Sequence, residues 1–191
     1  MYESAKDLLV EKGFYISSGI PEMTHKVDFI EHQNFLAGFF GDKRPLVAPE
    51  VTNLYANFQR NALGIATIRA FCQSATSKEV YKHFVRGEEI GRKHCEVLAS
   101  HLKEHNLQVP LSWDTHVIES SANVFSDKLM MFAIVTLTNF SMTFYGLGLA
   151  TSSKKDLGIM YNRFLAEIQL YSEDGGNILI ENAWLESPPK V

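Results

Sequence analysis

From Pro49 onward, apolar positions recur every three or four residues, the spacing that gathers them on one side of an α-helix. Val51, Leu54, Tyr55, Phe58, Ala62, Ile65 and Cys72 share such a face. They predict a first long helix from Pro49 to about Gln73, with the proline well placed in its first turn. Ser77, followed by Glu79, opens a second helix that carries Val80, Phe84, Gly91, Cys95, Leu98 and Leu102 on one face up to about His105. Asn106 to Thr115, with Pro110, breaks the pattern and predicts a crossover longer than a tight hairpin. A third helix is expected from about Ser121 to Ser152. A fourth starts near Lys155 with Leu157, Met160, Tyr161, Phe164, Ile168 and Tyr171 on one face. The same phase continues to Ile178, Leu179 and Asn182, so this helix should persist through Gly175 and Gly176 at a cost of about 1 kcal/mol each. The prolines after Trp184 end it.

The residues before Pro49 behave differently. Gly13, Gly19, Pro21, Gly41 and Pro45 leave apolar pieces too short for a bundle helix. The expected architecture is one all-α domain: a short helix and irregular arm over residues 1–48, packing on an antiparallel four-helix bundle over 49–191 with one longer crossover.

The third helix is unusual because no charged residue occurs between Lys128 and Lys154. Length and composition alone would allow a membrane span. Thr136, Thr138, Asn139, Ser141 and Thr143 interrupt its middle, however, and no second candidate span exists, so a fully buried bundle helix is the better account and no membrane is expected.

Composition supports a globular chain, with 46% apolar and 21% charged residues. A net charge of −4, without a run of basic residues, argues against a nucleic-acid partner. Cys72 and Cys95 lie on separate helices without Cys-x-x-Cys spacing and read as reduced, core-type thiols; together with a first segment unlike a secretory signal, they favour the cytoplasm.

Several phrases then point to a family: Arg44-Pro45-Leu46 followed by Glu50, Phe71-Cys72-Gln73, Arg86-Gly87-Glu88, Phe125-Ser126-Asp127-Lys128-Leu129-Met130-Met131, and Glu173-Asp174-Gly175 leading to Trp184-Leu185-Glu186-Ser187-Pro188-Pro189. With these the chain resembles the DUF3231 family. The resemblance implies a ferritin-like helical bundle from spore-forming bacilli, often given an inferred spore-coat label, and a chain that matches one unit of members built as two bundles in tandem. It implies no established activity.

Ferritin-like di-iron chemistry needs a glutamate from each of two helices and a Glu-x-x-His pair from each of the other two. The bundle helices lack that spacing: Glu88, Glu89 and Glu167 are followed at the third position by Gly91, Arg92 and Leu170, and Glu22 with His25 falls in the arm. No cofactor is predicted on this count. His83, His94, His101 and His105 form a stripe along one border of the second helix, where only His101 and His105, at i and i+4, could share a divalent metal. A solvated or interhelical edge is the favoured account of that stripe.

On the third helix, Phe132, Thr136, Asn139, Thr143, Gly146 and Ala150 make one stripe beside a bulkier one of Leu129, Ala133, Phe140, Phe144 and Leu147. One reading is a polar-lined internal cavity for a small ligand, held by Thr136, Asn139, Thr143 and Asn61. The favoured one is a close helix contact, with the hydroxyls bonded to their own backbone and Asn139 to a partner amide such as that of Asn61. Arg69 should pair with an acid of a neighbouring helix or reach the bundle end. No nucleophile motif is present, and the adjacency of His94 and Cys95 is no dyad, because helix neighbours point about 100° apart.

These features favour a non-enzymatic structural or interaction protein, with spore association through the resemblance; a metal- or small-ligand-binding protein is the alternative. Self-association as a dimer is expected, since Ala70 and Phe71 lie off the core stripe and the third helix is apolar all round.

Overall fold

The computed structural model describes residues 2–14, 29, 44–113, 117–120 and 124–189. They contain five α-helices and no strand: α1 (Tyr2–Glu11), α2 (Ala48–Ser74), α3 (Lys78–Glu104), α4 (Asp127–Thr151) and α5 (Lys155–Glu181). The four long helices, of 25 to 27 residues, are those expected from periodicity, and α5 does run through both glycines. α4 starts later than expected. Ser126 is its N-cap, with an extended backbone and a hydroxyl that accepts the Leu129 N–H at 3.2 Å. Residues 121–123 of the expected start, and nearly all of the arm, lie outside the described residues.

α2 packs on α3 and α4, and α5 packs on the same two helices. Two carboxylates fix their directions. Asp127, the first residue of α4, reaches the turn between α2 and α3, where it accepts the N–H groups of Thr76 (3.0 Å) and Ser77 (2.8 Å) and the Thr76 hydroxyl (2.6 Å). Glu50, in the first turn of α2, reaches the turn between α4 and α5 and accepts the N–H groups of Ser153 (3.0 Å) and Lys154 (3.2 Å). Neighbouring helices therefore run antiparallel, and the connection from His105 to Ser126 returns the full length of the molecule.

Glu50 is fully buried, and it also accepts the N–H of Val47, the N-cap of α2, at 3.0 Å and two guanidinium N–H groups of Arg44, each at 2.8 Å. Burial alone would raise its pKa; Arg44 and the N–H groups of Val47 and Lys154 outweigh that and hold it below the usual carboxylate range.

Two apolar clusters fill the interior. One gathers Leu54, Phe58, Leu98, Leu102, Tyr161 and Phe164; the other gathers Ile68, Phe84, Met130, Met131, Tyr171 and Leu179. Trp184 closes the second cluster beyond Ala183, which takes a left-handed backbone (φ 55°) so that the Trp184 N–H can return to the Leu179 carbonyl. Two glycines of α4 and α5 allow close approach. A Cβ on Gly148 would stand 2.5 Å from the Tyr161 ring, and one on Gly175 would stand 2.9 Å from His83 Nε2.

Three expectations need correction. α4 is not fully buried: it packs mainly on α2 and α5 and inserts Met130, Met131, Ile134, Thr138, Tyr145 and Gly148, leaving Leu129, Leu137, Phe140 and Leu147 45–57% exposed. Among the described residues it is the one helix long and apolar enough to cross a membrane by length and composition. Phe71, off the expected core stripe, is partly buried against the second cluster, and Phe125 meets its ring edge-on at 5.8 Å. Asn182, expected on the core face, is exposed at the end of α5.

Adjacent glycines give a sharp test. Gly176→Ala has open space for its methyl and gains helix propensity, so it should stabilise by roughly 0.5–1 kcal/mol. Gly175→Ala pushes on the buried His83 ring and should destabilise by about 1–3 kcal/mol. Urea unfolding of both variants checks the opposite signs. Glu50→Ala removes the carboxylate partner of Arg44 and of the backbone N–H groups of two helix starts and should cost about 3–5 kcal/mol in the same measurement.

Candidate functional site: a polar chain across the core

Where the two apolar clusters meet, the interior is polar. His94 of α3 is fully buried, stacked on the Phe164 ring at 3.8 Å. Its Nε2 lies 2.9 Å from Glu167 of α5 and its Nδ1 lies 2.9 Å from the hydroxyl of Tyr145 on α4. The Tyr145 hydroxyl in turn lies 2.7 Å from the Asn61 amide nitrogen on α2, which also donates to the Asn57 carbonyl at 2.8 Å. At the far end Lys93 donates to Glu167 at 2.6 Å. Each of the four long helices thus contributes a polar side chain to one continuous hydrogen-bonded chain.

Electrostatics set the direction of the bonds around His94. Burial would raise the Glu167 pKa, but Lys93 and His94 outweigh burial and keep it low, so the carboxylate is ionised and only accepts. His94 Nε2 therefore carries the proton. Burial pushes the His94 pKa down to about 4, against the pull of Glu167, so the ring is neutral at pH 7 and Nδ1 accepts. Burial also raises the Tyr145 pKa, so its phenol stays protonated and donates to Nδ1. Its oxygen accepts from Asn61 Nδ2, and Asn61 Oδ1 lies 2.9 Å from the same hydroxyl as a second acceptor. From Tyr145 through His94 the protons point toward Glu167.

Both nitrogens of His94 are engaged by protein groups, and among the described residues no group of three or more His, Cys, Asp or Glu side chains converges on one point. Beside the chain lies a cavity of about 70 Å3. Its floor includes Gly87, Gly91, His94, Ile168 and Tyr171 of α3 and α5, and its exposed lining residues, Arg60 and Leu137, place the mouth at the seam of α2 and α4.

The residues singled out from the sequence do not assemble into one site. Thr136, Asn139 and Thr143 are exposed on α4, where Ser172 donates to Asn139 Oδ1 at 3.2 Å and Thr143 donates to the Asn139 carbonyl at 3.4 Å. Asn61 is separated from them and meets Tyr145 instead. An apolar helix carries little phase information, and the bundle turned inward the face one step round from the one expected. His101 and His105 are half-buried near the end of α3, and His105 Nε2 faces the ammonium of buried Lys154 at 3.2 Å, an arrangement that opposes a cation there. The histidine stripe is not a solvated edge throughout. His83, 6% exposed, lies flat on Tyr171 at 4.2 Å, and its Nε2 has no hydrogen-bond partner among the described residues. Arg69 pairs with Glu88 of α3 at 3.5 Å. Glu22 and His25 fall outside the described residues. Tyr145 and Glu167 were missed as partners because each sits on a different helix from His94.

The profile of a protein family of unknown function, DUF3231, matches residues 34–191. The chain belongs to the DUF3231 family. No curated protein sequence matches it. Among solved structures, the crystal structure of a protein described as a "putative spore coat protein" from Bacillus halodurans is similar, with a TM-score of 0.72 at 15% identity, covering 78% of this chain and 96% of that one. At that identity the likeness concerns the fold. In this DUF3231 chain the phrases behind the resemblance sit at joints. Arg44 and Glu50 close one end and Asp127 the other, Gln73 holds the crossover through the Ile118 carbonyl and the Ser120 N–H, and Arg86 pairs with Asp174 beside Gly175.

A pH titration of stability follows from the two buried imidazoles. His83 and His94 both have folded pKa values near 4, below the 6.5 of an open chain. As pH falls from 6.5 toward 4 the unfolded state binds protons first, so stability should decline across this window, by up to about 3 kcal/mol per histidine. The urea midpoint should fall accordingly, and His94→Gln should remove about one proton from the slope. An unchanged slope in the variant would assign the titration elsewhere.

Proposed function

We propose that this DUF3231 chain is a non-enzymatic interaction protein, a ferritin-like four-helix bundle that works as a spore-associated homodimer joined through the outer face of α4. The observation that carries this reading is the face itself. α4 has no charge between Lys128 and its end, and Leu129, Leu137, Phe140 and Leu147 are each about half exposed along it. An uncharged strip that length is not a surface a monomer keeps without use.

A second copy is the occupant that fits. A two-fold contact sets like against like, and a strip without charge meets its own image without repulsion. At 1.5 Å per residue α4 carries this strip for about 38 Å, long enough for a helix-on-helix contact with its own image. Spore association is supported by the similarity to a protein described as a "putative spore coat protein", and a cytoplasmic origin by Cys72 and Cys95, which form no disulfide. Against metal chemistry stands the donor set, since the level where four helices could converge on ions is occupied by hydrogen bonds from His94, Tyr145, Asn61 and Glu167.

Light scattering at micromolar concentration should return twice the mass of the chain. Phe140→Lys should return the monomer with an unchanged helical circular-dichroism spectrum. A monomeric wild type overturns the dimer, and a dimer indifferent to Phe140→Lys overturns this face. Elemental analysis of purified protein should show no stoichiometric transition metal; bound iron, manganese or zinc would favour the metal-binding alternative.

A further inference from the structure

We infer that the cavity beside Tyr145 is a binding site for a small neutral molecule that donates hydrogen bonds, of the primary-amide class. The inference does not depend on the dimer. It rests on which ends of the polar groups are left facing the space.

The lining polar groups have spent their protons elsewhere. The Thr138 hydroxyl donates to the Ile134 carbonyl at 2.8 Å and the Ser141 hydroxyl to the Leu137 carbonyl at 3.0 Å. The Tyr145 proton goes to His94, and the Asn61 amide protons go to the Asn57 carbonyl and to Tyr145. What remains are lone pairs: Thr138 Oγ1, Ser141 Oγ, the second lone pair of the Tyr145 oxygen, and the lone pair of Asn61 Oδ1 that does not face the Tyr145 hydroxyl at 2.9 Å. A guest that satisfies them must carry N–H or O–H groups.

Charge narrows the choice. At the mouth the Arg60 guanidinium lies 3.6 Å over the Phe144 ring, so a cation entering the cavity passes a fixed positive charge. The acid near the deep end, Glu167, is already held by Lys93 and His94. An anion finds its donor only at the rim and acceptors everywhere deeper. A primary amide meets both ends, with N–H groups inward on the acceptors and a carbonyl outward toward Arg60.

Size sets the limit. About 70 Å3 is roughly the liquid volume of two waters, so a guest of three or four heavy atoms fits and a drug-sized ligand does not. So few atoms support at best half-saturation in the millimolar range.

The probe is formamide, titrated into 15N-labelled protein, with formate and ammonium as the anionic and cationic controls. The mouth lies on the face proposed to dimerise, so the titration is run on the wild type and on Phe140→Lys, which leaves the cavity lining untouched. The expected result is saturable amide shifts confined to the neighbourhood of Asn61, Thr138, Ser141 and Tyr145, at least tenfold weaker with formate or ammonium. Thr138→Val keeps the shape of the wall but removes an acceptor, and should weaken formamide several-fold while leaving the thermal midpoint nearly unchanged. Ser141→Ala provides the same test at a half-exposed position should Thr138→Val unfold. The inference is overturned by shifts that stay linear in formamide, by equal response to the two ions, or by indifference to the hydroxyl substitutions. A dimer that fails to form leaves this titration intact, and a cavity that stays empty leaves the dimer intact.

Discussion

The register of this molecule depends on two carboxylates, each in the first turn of one hairpin and each bonded to the turn of the other. Helix packing by apolar contact is permissive along the axis, since a slide by one turn replaces one ridge with another of similar shape. Glu50 and Asp127 remove that freedom. Each accepts backbone N–H groups that a helix start leaves without an internal partner, and each adds negative charge at the positive end of a neighbouring helix. Hairpin α2–α3 is thereby pinned to hairpin α4–α5 at both ends, about one helix length apart.

Pinned ends determine what meets in the middle. Asn61, His94, Tyr145 and Glu167 come from four helices and form bonds of 2.7 to 2.9 Å, which a shift of one turn would break at every link. Such a chain adds little net stability over apolar packing, because each group gives up water to enter the core. It does penalise every other register, since a slipped bundle would bury an imidazole, a phenol and an amide without partners. The staples and the chain therefore enforce one geometry from opposite sides: the ends favour it, and the middle disfavours its rivals.

The two kinds of information differed in how far the sequence exposed them. Helix existence was legible because Val51 to Ile65, Val80 to Leu102 and Leu157 to Leu179 carry strong three-to-four periodicity, and their predicted core residues are almost all buried. The persistence of α5 through Gly175 and Gly176 was legible for the same reason, although the purpose of Gly175, a seat for the His83 ring, belongs to tertiary structure. α4 was not legible beyond its presence. Apolar all round, it gives no phase, so Thr136, Asn139 and Thr143 were placed inward while Thr138 and Tyr145 in fact face the core. The buried chain was hidden for a further reason. Its members are single residues on four helices, and only the pairing of Asn61 with a polar group of α4 was anticipated, with the wrong partner.

The ambiguity of α4 has a physical origin that links the outer face to the cavity. A helix that packs mainly on two neighbours needs roughly half of its circumference apolar, so the apolar remainder of α4 exceeds what the core of its own chain uses. The seam it forms with α2 is also where the cavity of about 70 Å3 opens. Gly64 has open space where a side chain would stand, and Thr138 and Ser141 turn their hydroxyls back onto their own helix rather than across to α2. A surface covered by another copy would tolerate such a seam better than one washed by solvent, because a covered mouth lets the lone pairs of Asn61 and Tyr145 select their guest instead of sharing bulk water. The apolar outer face of α4 and the acceptor-lined space behind it are then two sides of one wall, and the residues between them, Leu137 and Ser141, are where occupancy of one would be felt by the other.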